Sequence, residues 1–141
     1  MKKFLYICLL MLLPLAASAQ IKPQSIGTYK HYDVGGPTDI FVSLTYNTDA
    51  TYFAYSLREM HYNNRFVLML GNSKEEALES LNNLLNILKT GEKGEVYVID
   101  ENTSMKKVDN TRLNIYRAGQ LDYGYIQSRH IKSTIKFINN L

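Results

Sequence analysis

The hydrophobic positions change period at the middle of the chain. Ala77, Leu78, Leu81, Leu84, Leu85 and Leu88 recur at i, i+3, i+4 and i+7, which is the buried stripe of an amphipathic helix. Asn82, Asn83, Asn86 and Glu79 take most of the other side, and Ile87 falls at the edge of the stripe. The ends are marked too. Ser73, with Glu76 three residues on, reads as a capping box. Glu75, Glu76 and Glu79 lie in the positive first turns and Lys89 at the negative end. Gly91 follows where a left-handed residue is wanted. The pattern predicts a helix over 73–90.

On either side the period is two. Residues 26–34 read as a first strand, broken at Gly35-Gly36-Pro37. Residues 39–46 alternate cleanly, with Ile40, Val42, Leu44 and Tyr46 on one face. A turn at 47–50 leads to a strand over 51–60. Asn63-Asn64 then offers the positive φ of a hairpin turn. Residues 65–70 are apolar on both faces, which predicts a central strand. After the helix come a strand over 95–100, a polar connection over 102–110 in which Met105 and Val108 pair briefly, and strands over 111–117 and 123–127. In the tail, Ile131, Ile135 and Ile138 have helical spacing, while Ile131, Ser133, Ile135 and Phe137 would serve a strand. The length of the run and the Asn139-Asn140 end favour the helix. The expected fold is α+β: an antiparallel sheet of about seven strands with a central helix (73–90) and a C-terminal helix on one face. No internal sequence repeat is visible.

In topology alone, this order resembles the four-strands-then-helix units of the PUR and Whirly single-strand nucleic-acid binders. The chain carries none of the motifs of those families, and topology alone implies no function.

The start of the chain belongs to export. Lys2 and Lys3 precede an apolar run over Phe4–Leu15, and Ala17-Ser18-Ala19 forms a small-residue cleavage site. The segment resembles a bacterial Sec signal. Residues 1–19 are read as a signal peptide, 20–25 as a flexible tail and 26–141 as one domain, delivered to the periplasm or the cell exterior. The membrane enters only through the leader before cleavage. Removing it changes two readings. Cys8, the sole cysteine, is lost, so the mature chain has no disulfide or thiolate site. Lys2 and Lys3 go as well, which lowers the 16 basic residues to 14 against 13 acidic ones. Net charge therefore gives no strong nucleic-acid signal.

Candidate chemistry is sparse. The chain has no phosphate-cradling glycine loop, dinucleotide fingerprint, zinc-protease helix or nucleophile elbow. Gly35-Gly36-Pro37 lies between strands and opens no helix, so it is read as a turn. His31, His61 and His130 sit in different segments without a neighbouring ligand, so no metal or cofactor is expected. Two features exceed background. Ten tyrosines remain after the leader is removed, nearly all on strands, and there is no tryptophan. The stretch from Asn102 to the end is basic, with Lys106, Lys107, Arg112, Arg117, Arg129, Lys132 and Lys136 against Asp109 and Asp122. Tyrosine is also an ordinary strand former, and basic residues are ordinarily solvated.

The leading expectation is a non-enzymatic binding domain. Its surface is the sheet face opposite Leu81, Leu84 and Leu88, carrying Tyr52, Tyr55, Tyr97, Tyr116, Arg112 and Arg117, for a protein, peptide or glycan partner. One alternative is a hydrolase built from scattered residues such as His31, His130 and Asp122. Another is an assembly component that pairs through sheet edges. The export reading makes a direct prediction. Mass spectrometry of the protein recovered outside the cytosol should find a mature N-terminus at Gln20; a retained leader would refute it.

Overall fold

The computed structural model describes residues 28–141. The expected signal peptide, the expected 20–25 tail and the start of the expected first strand lie outside the described residues. Four strands come first: β1 (Tyr29–Tyr32), β2 (Val42–Asn47), β3 (Phe53–Arg58) and β4 (Arg65–Gly71). Helix α1 (Lys74–Thr90) follows, then β5 (Val96–Asp100), β6 (Thr103–Asp109), β7 (Arg112–Arg117), β8 (Gly124–Gln127) and helix α2 (Ser128–Asn139). The strands do not share one sheet. They form two antiparallel sheets of four, ordered β1-β2-β3-β4 and β5-β6-β7-β8. The same plan, four strands in sequential order and then a helix, thus occurs twice without a repeated sequence.

The α+β class and the helix stripe are as expected. Ser73 caps α1 by accepting a hydrogen bond from the Glu76 amide at 3.1 Å, and the Glu76 carboxylate accepts from the Asn72 amide at 2.8 Å. Ala77, Leu81, Leu84 and Leu88 are buried. They join one core with Val42 and Leu44 of β2, Phe53, Tyr55 and Leu57 of β3, Met105 of β6, Leu113 and Ile115 of β7, and Ile131 and Ile138 of α2. The two helices cross-pack. Tyr55 of the first sheet donates toward the His130 carbonyl and meets the Thr134 hydroxyl at 2.7 Å, both on α2. Tyr32 stacks on Phe137 of α2, and Tyr46 meets the same ring edge-on. The first sheet is thereby covered by the helix that follows the second.

Several local expectations are corrected. The polar connection over 102–110 is strand β6, with Thr103, Met105 and Lys107 turned inward. Lys107 disguises it. Its ammonium donates to the Gly91 carbonyl at 2.6 Å, at the negative end of α1, while its stem is buried. Gly91 itself is extended (φ −68°), not left-handed. The need for glycine there is steric, because a Cβ would lie 2.3 Å from the Tyr97 hydroxyl. Asn63-Asn64 adopts no positive φ; the β3–β4 loop is closed instead by Glu59, whose amide donates to the Asn64 carbonyl. β4 is an edge strand, not a central one. Its outward Val67 and Met69 stay exposed, while two of its backbone carbonyls are capped: Arg117 donates to the Val67 carbonyl at 2.7 Å and the Ser80 hydroxyl to the Leu70 carbonyl at 2.6 Å.

This packing can be tested on its central residue. Leu81→Ala should lower stability to denaturant by about 2–5 kcal/mol, because a fully buried side chain is lost from a core with contributions from both sheets. Asn82→Ala, one position along on the exposed side, should stay within about 0.5 kcal/mol.

Candidate functional site

Both sheets turn one face to the helices and the other outward. The two outer faces differ in chemistry. On the first sheet the outward row carries His31 from β1, Ser43 and Thr45 from β2, Ala54 and Ser56 from β3, and Val67 and Met69 from β4, the last two each 42% exposed. On the second, period-two alternation brings out Val96 and Val98 from β5, Ser104 and Lys106 from β6, Arg112, Asn114 and Tyr116 from β7, and Tyr125 from β8. Tyr123, just before β8, joins them.

These side chains form a connected series. Tyr116 and Tyr123 have ring centroids 5.7 Å apart. The Arg112 guanidinium lies 5.9 Å from the Tyr123 ring and 4.4 Å from the Tyr125 ring. Tyr125 lies 5.5 Å from Phe41, over which Arg58 sits at 5.6 Å. Clefts of about 350 Å³ and 470 Å³ flank Tyr116, the first lined by Val98, Ser104 and Arg117, the second by Lys93, Lys106 and Asn114.

The arginines divide by what they bind. Terminal nitrogens of Arg58, Arg65, Arg117 and Arg129 donate to protein acceptors. Arg112 gives only its Nε–H, to Asn114 Oδ1 at 3.0 Å, among the described residues. Its guanidinium carbon lies beside both rings, and its two terminal amino groups donate to no protein acceptor among the described residues. A planar fork of this kind matches a carboxylate with two parallel hydrogen bonds.

Of the residues nominated from sequence, Arg112 and Tyr116 share this face. Tyr52 stands at the rim of the other sheet, edge-on to Tyr29 at 5.3 Å. Tyr97 points to the inner side of β5, half-buried, with its hydroxyl on Glu95. Arg117 is spent on β4. Tyr55 leaves the candidate surface altogether: it is wholly buried, and burial pushes its hydroxyl pKa far above the ordinary tyrosine value. Tyr123 and Tyr125 are the members that sequence reasoning passed over. Their signal was present, since a Tyr-x-Tyr spacing on a strand puts both rings on one face.

The catalytic nominees are not brought together. His31 meets Thr45 on the first sheet, Asp122 pairs with His61 between two hairpin loops, and His130 pairs with Asp39. That last pair is the most elaborate polar cluster. His130 Nδ1 accepts the Gln127 amide at 3.1 Å, so Nε2 carries the proton and donates to Asp39 Oδ2 at 2.7 Å. The Phe41 amide and Arg129 also donate to Asp39. Both imidazole nitrogens are occupied and the ring is buried, so it has no lone pair to offer a substrate. Among the described residues no group of three potential metal ligands occurs, and no helix is long and apolar enough to cross a membrane. Comparison with protein-family models, with curated protein sequences and with solved structures finds no match.

The Asp39–His130 pair predicts a pH dependence. Burial lowers the His130 pKa, and Asp39 only partly offsets this. Burial raises that of Asp39, but the hydrogen bonds from His130 and Phe41, with the nearby charges, outweigh it and hold it below the ordinary value. Both folded pKa values are depressed, so both contributions are present above the unfolded values and lost on acidification. The histidine part begins to fall below the unfolded value of about 6.5, and the aspartate part below about 3.9. Urea midpoints measured from about pH 7.5 to 5 should drop less steeply in His130→Asn than in the wild type. Equal slopes would refute a neutral, buried His130.

Proposed function

We propose that this protein is a small exported binding domain without chemistry of its own. It recognises a carboxylate-bearing peptide or protein surface on the outer face of the second sheet. Residues 1–19 deliver it to the periplasm or the cell exterior. The observation that carries the reading is Arg112, gripped between Tyr123 and Tyr125 with its terminal amino groups unspent. Tyrosine and arginine supply most of the energy at protein interfaces, since they combine broad apolar area with directional polar groups. Tyr116 is 39% exposed and walls two clefts, which gives a partner side chains to fit beside the guanidinium. Lys106 adds positive charge on the same face, against the Asp109 carboxylate beside Arg112.

A fluorescent acidic peptide and its fully amidated counterpart provide the test. The acidic form should bind the wild type, and binding should weaken at least about tenfold in Arg112→Gln and in Tyr116→Ala, the loss of about 1.4 kcal/mol that one charge-assisted contact supplies. Tyr52→Ala, on the other sheet, should bind as the wild type does. Equal binding of the amidated peptide, or indifference to Arg112→Gln, would sink the proposal, as would competition by neutral oligosaccharides alone.

A further inference from the structure

Two arginines, not one, stand at the β8 end of the second sheet. Gln127 connects them. Ser128 donates its amide to the Thr111 carbonyl at 2.8 Å, which makes Arg112 and Gln127 a non-hydrogen-bonded pair of the β7–β8 ladder, the kind whose side chains approach most closely. Gln127 in turn accepts the Arg129 Nε–H on its Oε1 at 2.7 Å. The two guanidinium groups share Tyr125 as well. Arg112 lies 4.4 Å from its ring. Burial raises the Tyr125 pKa and Asp39 adds to this, while Arg112 and Arg129 both draw it down, so the hydroxyl lies within electrostatic reach of both cations.

Arg129 is spent only in part. Its Nε goes to Gln127 and its Nη2 to Asp39 at 2.9 Å, which leaves Nη1 with no protein acceptor among the described residues. The Arg129 side chain is 58% exposed and that of Asp39 6%, so an arriving ligand meets the guanidinium and not the carboxylate behind it. Asp39 also holds His130 and the Phe41 amide, which fixes Arg129 to a rigid part of the fold. The half-buried Tyr125 hydroxyl has no protein partner among the described residues.

These groups narrow the ligand. A single carboxylate on the Arg112 fork would leave Arg129 Nη1 and the Tyr125 hydroxyl unmet. A double charge at one point is disfavoured, because each guanidinium already has a protein carboxylate near it: Asp109 faces Arg112, and Asp39 holds Arg129. Two single charges set apart answer both. Alternate residues of an extended segment put their side chains on one face about 7 Å apart, enough to straddle a tyrosine ring. We propose that Arg129 is a second ligand-contacting residue of this site and that the partner is an extended peptide segment with carboxylates at alternate positions, one on Arg112 and one on Arg129, with the Tyr125 hydroxyl donating between them; this rests on the carboxylate reading of Arg112.

Fluorescence anisotropy on the full mature chain tests it. The probes are an end-capped peptide with glutamates at two alternate positions and its counterparts with one or both replaced by glutamine. The wild type should bind the diacid at least about tenfold tighter than the monoacid. Arg129→Gln should remove that advantage and leave monoacid binding unchanged, whereas Arg112→Gln should weaken both. An NMR titration reads the same contact without a substitution, should Arg129→Gln fail to fold. The diacid should shift the Nε–Hε signals of both Arg112 and Arg129, and the monoacid that of Arg112 alone. If neither acidic peptide outbinds the diglutamine form, the carboxylate reading of Arg112 falls and this proposal with it. If the monoacid binds through Arg112 but the second glutamate adds nothing, this proposal alone is overturned. The same holds if Arg129→Gln keeps the diacid's advantage or the Arg129 signal does not move. A phosphoserine peptide that outbinds the diacid would assign the two arginines to a phosphoryl group and overturn the proposal too.

Discussion

The burial of two amphipathic helices by two sheets, each helix reaching across to the other unit, is the constraint on which the rest depends. Helix α1 packs on β4, on α2 and on β6. Helix α2 covers β8, and it also receives Tyr32, Tyr46 and Tyr55 of the first sheet. A four-stranded sheet with a single helix leaves apolar surface uncovered at its far side, and a chain of this length without disulfides has no other means of covering it. Crossing the helices makes one core from two similar halves. It also leaves the outer faces of both sheets uncovered by the helices.

The buried polar groups follow the same logic of joining what is distant in sequence. Among the described residues, no buried side-chain nitrogen or oxygen lacks a partner. Lys107 ties β6 to the end of α1. His130 ties the start of α2 to Asp39 in the β1–β2 connection. Glu59, fully buried, accepts from Asn64 within its own loop and from the Leu121 and Asp122 amides of the β7–β8 loop. An ionisable group placed inside costs free energy unless its partners are in position, so each of these residues specifies one relative placement of the two halves. That reading separates them from catalysis: their donors and acceptors are already spent on the fold.

The proposed binding surface uses what the fold does not. The first sheet's outer face mixes small polar residues with the exposed Val67 and Met69. The second carries the aromatic–arginine series with Arg112, whose terminal groups have no protein acceptor among the described residues. Beside it runs an edge with apolar side chains and open hydrogen-bonding groups.

Some of this was written in the residues themselves. The α1 stripe, its Ser73 cap, the alternation of β2 and the α+β class are local properties, decided by periods of 3.6 and 2 and by turn chemistry, which the surroundings reinforce. The helical spacing of the tail likewise sufficed for α2. Arg112 and Tyr116 were legible as candidates because residue type and strand parity put them on an open face. Other features were decided only in three dimensions. The division into two sheets depends on which strands meet across the helices. β6 reads as a loop until the Gly91 carbonyl receives Lys107. Tyr55 looks like its sister tyrosines until α2 closes over it. Hydrophobic period reports that a face is covered, not by what, and a polar residue reports its cost, not its partner. Both answers are long-range contacts, and they exist only once the chain has closed on itself.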